Sequence, residues 1–110
     1  MKIRLITELP SFTKKAEKIF DSDELDELRE FIKDNPENGD IIQGTGGLRK
    51  MRWSSGGKGK RGGARVIYFY HIVGSHIYLM ACYTKNEQED LRPEVKKQLK
   101  LFIEQLKNEV

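Results

Sequence analysis

Gly44–Tyr70 runs GTGGLRKMRWSSGGKGKRGGARVIYFY, and the fold turns on how this stretch is parsed. Two segments of strand-forming residues, Leu48–Trp53 and Ala64–Tyr70, flank a loop of glycines and cations. In the first segment a period of two puts Leu48, Lys50 and Arg52 on one face and Arg49, Met51 and Trp53 on the other. Met51 and Trp53 are expected to face a core, which aims Lys50 and Arg52 together at the open face. In the second, Val66, Tyr68 and Tyr70 share a face opposite Arg65, Ile67 and Phe69, while Lys58, Lys60 and Arg61 ride in the loop between. Ile77–Tyr83, reached through the turn signal Val73-Gly74-Ser75, completes an antiparallel meander of three strands.

Charge is distributed as unevenly as glycine. Between Asp40 and Glu87 there is no acid, but eight basic residues: Arg49, Lys50, Arg52, Lys58, Lys60, Arg61, Arg65 and Lys85. The rest of the chain sets 12 of the 20 Lys and Arg against all 17 acids, a balance of −5 that a net charge of +3 conceals. Such polarisation points to a polyanion, above all nucleic acid. At 110 residues the chain is expected to form one domain over 1–110 around a single core. The longest apolar run, Val66–Tyr70, is far short of the ~20 residues of a membrane helix. MKIRLITELP lacks the apolar core and cleavage site of a signal peptide. The single cysteine, Cys82, excludes an internal disulfide and fits a reducing, cytoplasmic setting.

Toward the N-terminus, Lys2–Leu9 alternates like a strand and Pro10 ends it. Ser11 is placed to cap a helix with Phe12, Ala16, Ile19 and Phe20 on one face. Asp21 and Glu24 form a capping-box pattern for a second helix, striped by Leu25, Leu28, Phe31 and Ile32 and ended near Asp34 by Pro36. Toward the C-terminus, Pro93 suits the first turn of a helix carrying Val95, Leu99, Phe102, Ile103, Leu106 and Val110 at helical spacing. The order β-α-α-β-β-β-α is that of an α+β domain.

Several patterns dissolve on inspection. Gly57–Gly62 matches G-x-G-x-x-G letter by letter but precedes a strand, where a dinucleotide site needs a helix, so no cofactor is expected. His71 and His76 have no Cys or carboxylate near them in sequence, so they read as sheet-edge histidines and no metal is expected. Cys82, in mid-strand, reads as a small buried hydrophobe. A lysine-rich glycine loop is often only a solvated hairpin, but here the acid-free surroundings favour phosphate contacts. Most of the aromatics should be core; Phe69 and Tyr83 are the better candidates to stack on a base from the open face.

The order of elements, together with GTGGLRKMRW, GKGKRGGARVIYFY and YTKNEQEDL, resembles the RelE/HigB superfamily of toxins from bacterial toxin–antitoxin modules, its HigB branch most closely. The likeness spans nearly the whole chain. It implies a small twisted sheet of microbial-ribonuclease type and a ribosome-dependent endoribonuclease that cuts mRNA in the A site. It also implies a cognate antitoxin that holds the toxin inactive. By position, Lys50 and Arg52 match the family's paired basic residues, Arg65 its phosphate-binding arginine, and Lys85 a further basic residue after the last strand. Arg49, Lys58, Lys60 and Arg61 would grip ribosomal RNA. Cleavage by 2′-OH attack needs a base, charge stabilisation and an acid; a lysine among other cations and forked arginines suit the first two. Where relatives carry an arginine and then a tyrosine, this chain has Asn86, Glu87, Asp90 and Leu91, so the acid has no assignment; of two roles open to Glu87, taking part directly or orienting Lys85 through an ion pair, the second is expected. Two other readings stay open: a ParE-like toxin of the same fold that poisons gyrase, and a non-catalytic RNA- or DNA-binding module.

Overall fold

Residues 5–53, 63–84 and 91–108 are described by the computed structural model. The elements are β1 (Leu5–Glu8), α1 (Pro10–Ile19), α2 (Ser22–Asp34), β2 (Asp40–Ile41), β3 (Leu48–Trp53), β4 (Ala64–His71), β5 (His76–Thr84) and α3 (Pro93–Asn108). The strands form one sheet in the order β1-β5-β4-β3-β2. The meander β3-β4-β5 is antiparallel as expected. β1 joins it parallel to β5, a pairing that the α1–α2 crossover makes possible. The two-residue β2 was not anticipated and makes the far edge beside β3.

Pleating divides the sheet between two apolar layers. Met51, Ala64, Val66, Tyr68, Tyr70, Ile77, Leu79 and Cys82 pack under α1 and α2, whose Phe12, Ala16, Leu28 and Ile32 are buried against them. Leu48, Ile67, Phe69, Met80 and Tyr83 face the other way and pack with Leu91 and with Leu99 and Ile103 of α3. The face expected to be open is therefore covered over much of its length. A bulge assists: Ile67 pairs with Ala81 and Tyr68 with Leu79, so Met80 is an extra residue and joins Ala81 on the α3 side.

The helix ends show which caps the chain uses. Asp21 accepts from the Glu24 N–H and the Glu24 carboxylate accepts from the Asp21 N–H, each at 2.8 Å, completing the expected capping box. Ser11 does not cap α1. Its hydroxyl donates to the Met80 carbonyl at 2.6 Å, fastening the helix to β5, while Pro10 at the first turn has no N–H to satisfy. Arg29 of α2 bonds Glu8 of β1 at 2.6 Å and Asp26 at 2.9 Å.

The turn before β2 is stapled from beneath. The Tyr68 hydroxyl donates to the Pro36 carbonyl and accepts from the Gly39 N–H, both at 2.8 Å, and Arg49 donates to the Gly39 carbonyl at 2.8 Å. A Cβ on Gly39 would lie 2.9 Å from the Tyr68 ring, so this approach requires glycine. Burial raises the Tyr68 hydroxyl's pKa and keeps its proton in place. Tyr68→Phe strands a buried N–H and a carbonyl, and urea unfolding should show a loss of about 1–3 kcal/mol.

His71 and His76 are a register pair beside the 72–75 turn, at the ends of two central strands and not at a sheet edge. His76 bonds Thr7 of β1 at 2.7 Å and stacks on Tyr78. Burial, then the charge of His71, lowers the His76 pKa below 6.5. The unfolded chain therefore takes up this proton first as pH falls, so the contribution is full above about pH 6.5 and is lost below it. Thermal melts at about pH 7.5 and about pH 5.5 should show a larger drop for wild type than for His76→Gln.

Candidate functional site

Register brings the basic residues of β3 and β4 together. Arg52 lies directly across from Arg65, and Arg65 across from Tyr83 of β5. Lys50, one pleat repeat back along β3, sits across from Ile67. Lys50, Arg52 and Arg65 share the face of Leu48, Ile67 and Phe69, with Arg52 exposed and the other two half-buried. Opposed residues of an antiparallel pair have Cα atoms about 4.5–5.5 Å apart, so two guanidiniums reach one small volume. Like charges so opposed cost stability in a sheet, and an anion between them reverses the sign.

The path of α3 explains why this corner stays accessible. At its N-terminal end Val95 lies beside Ala81 and Tyr83 of β5. At its C-terminal end Lys107 donates to the Gly46 carbonyl at 2.7 Å, before the start of β3. The helix thus crosses obliquely and covers Leu48 and Phe69 but not the Arg52 end of β3. Gly47 allows the close approach at that far side: its φ is +127°, and a Cβ there would meet the Phe69 ring at 3.0 Å.

Two expectations are revised. Phe69 and Tyr83 are only 4 % and 2 % exposed beneath α3 and Leu91, so neither ring offers a face to a base. Arg49 lies on the opposite face from Lys50 and spends its guanidinium on the carbonyls of Glu37 and Gly39, which makes it a clamp on the turn. Lys58, Lys60, Arg61, Lys85 and Glu87 lie outside the described residues. Two cations that no motif singles out, Lys15 of α1 and Arg92, line a cavity of about 220 Å³ with Tyr83, next to the basic corner. Only the packing of α1 on β5 brings Lys15 there.

Among the described residues no cluster of His, Cys, Asp or Glu could hold a metal ion. Nor, among them, is any helix long and apolar enough to cross a membrane. A cation-lined corner of this kind suits binding of a phosphodiester and stabilisation of charge on it.

Comparison with known proteins agrees with this architecture. A double arginine-to-alanine variant of the E. coli toxin RelE in the free state is similar over 90 % of this chain and 95 % of its own, with a TM-score of 0.59 at 14 % identity. The intact E. coli RelBE toxin–antitoxin complex contains a chain similar over 73 % of this one and 94 % of its own, with a TM-score of 0.54 at 13 % identity. At such identities the likeness speaks for the fold. The family model described as the RelE toxin of the RelE/RelB toxin–antitoxin system matches residues 11–109, and the chain belongs to that toxin family.

Proposed function

We propose that this toxin is a ribosome-dependent mRNA endoribonuclease, with Lys50, Arg52 and Arg65 at its site. The observation that carries the reading is the cross-strand pair Arg52–Arg65 with Lys50 on the same face. In the reaction, the 2′-OH of one nucleotide attacks the adjacent phosphorus to form a 2′,3′-cyclic phosphate, the bond to the 5′-oxygen breaks, and that oxygen leaves as a hydroxyl with a proton from solvent water. Arg65 and Arg52 stabilise the charge that gathers on the phosphoryl oxygens, as forked and permanently charged donors do. Lys50 handles the 2′-OH proton, and Lys85, one residue beyond β5, adds a further cation.

This is a sparse set of groups for a nuclease. It suits an enzyme whose substrate is bent into line by the ribosome, since orientation alone can supply a large part of the barrier lowering. Lys58, Lys60 and Arg61 hold ribosomal RNA phosphates in this scheme, contacts that weaken with salt. A cognate antitoxin is the protein partner, in keeping with family membership and with the complex known for E. coli RelBE.

The chemistry is tested by giving programmed ribosomes a message with one 2′-deoxynucleotide at a mapped cut. The all-ribose message should be cut to leave a 5′-hydroxyl fragment, and the deoxy substitution should abolish that cut alone. A cut indifferent to the missing hydroxyl, or no cut in either message, contradicts the scheme.

A further inference from the structure

A second feature lies at the opposite end of the sheet. Around a cavity of about 570 Å³ stand Ile41 of β2, Ile72 and Val73 of the β4–β5 turn, Arg49, His71 and Lys107. Ile41, Ile72 and Val73 are 58 %, 57 % and 74 % exposed, three of the five large hydrophobic side chains left exposed among the described residues. Scattered exposed aliphatics are ordinary, but three gathered at one concavity mark an interaction site. The charged and titratable groups of its lining are Arg49, Lys107, His71 and Tyr70, with no Asp or Glu. Lys107 also lies 6.0 Å from the centre of the Phe69 ring in the floor. Beside the cavity runs β2, one of the two edge strands of the described sheet.

This chemistry selects a protein segment over RNA. Aliphatic side chains offer nothing to a phosphate, and the Phe69 ring, 4 % exposed, gives no stacking face. An apolar lining with a basic rim is the complement of a segment that carries apolar side chains flanked by carboxylates. Resting on the toxin reading above, we infer that the cavity is the anchor for an acidic, apolar segment of the cognate antitoxin. The anchor is remote from the basic corner. Arg65 and His71 are six residues apart on one strand, roughly 20 Å at the usual rise. The anchor and the RNA site are therefore separable by substitution.

The test uses the intact toxin and its purified cognate antitoxin. Ile72→Asp/Val73→Asp removes two exposed side chains, so folding should persist, as circular dichroism and melting would verify. Leu101→Asp, 54 % exposed on α3 and outside the cavity, is the control. Titration calorimetry should show at least about a 30-fold loss of antitoxin affinity for the double variant and none for the control, the scale of losing a hot-spot side chain. In translation, the double variant should still cause arrest that added antitoxin no longer relieves. Antitoxin binding at wild-type strength by the folded double variant overturns the inference alone. So does a wild-type chain that self-associates through the cavity while its antitoxin affinity ignores both substitutions, which would make a second copy the occupant. A wild-type chain that neither arrests translation nor binds the antitoxin removes the toxin reading, and this inference with it.

Discussion

Arg65→Ala is expected to slow cleavage of ribosome-bound message by about 10²–10³-fold, the usual effect of removing one preorganised charge donor from a phosphoryl or oxyanion site. Ribosome binding should change little, because one cation among many contributes only a share of the phosphate contacts. The assignment rests on register: Arg65 lies on a central strand between Arg52 and Tyr83 and is half-buried, so its side chain is held more firmly than that of exposed Arg52. Arg65→Lys should recover only part of the rate, since an ammonium cannot reproduce the two-pronged contact of a guanidinium. Single-turnover cleavage and cosedimentation with ribosomes measure the two quantities separately. A proportional fall in both would make Arg65 a binding residue only.

Ile103→Ala should cost about 2–5 kcal/mol, a large part of the roughly 5–15 kcal/mol that holds a domain together. Ile103 is wholly buried, and its Cγ2 would be 3.5 Å from a Cβ placed on Gly46. It shares the α3-side layer with Leu48, Ile67 and Phe69. The positive φ of Gly47 brings the backbone before β3 close against Phe69, so the surroundings have little freedom to collapse into the space left by truncation. Urea unfolding measures the loss. A change below about 1 kcal/mol would mean that α3 is not anchored there.

The parts of this fold legible in the sequence are those with a local physical cause. The pleat of Leu48–Trp53 is readable because Met51 and Trp53 must be buried, which commits Lys50 and Arg52 to the other face. The Asp21–Glu24 box and the stripe through Leu99 and Ile103 are equally local. What stayed hidden depends on contacts distant in sequence. Two residues of β2 are too few to show a period, and nothing in Leu5–Glu8 announces a parallel partner 71 positions away at His76. An amphipathic α3 does not declare which sheet face it will cover, so the burial of Phe69 and Tyr83 could not be foreseen. Arg49 and Lys50 are alike in composition. Only the position of the Glu37 and Gly39 carbonyls makes the first a structural clamp.

The most direct measurement is primer extension on an mRNA in a purified translation system, with and without ribosomes. Cuts in the ribosome-bound message, absent from naked RNA and absent with Arg65→Ala, are the predicted result. No cleavage under either condition would contradict the account and leave a gyrase-directed toxin or a plain nucleic-acid-binding module in its place.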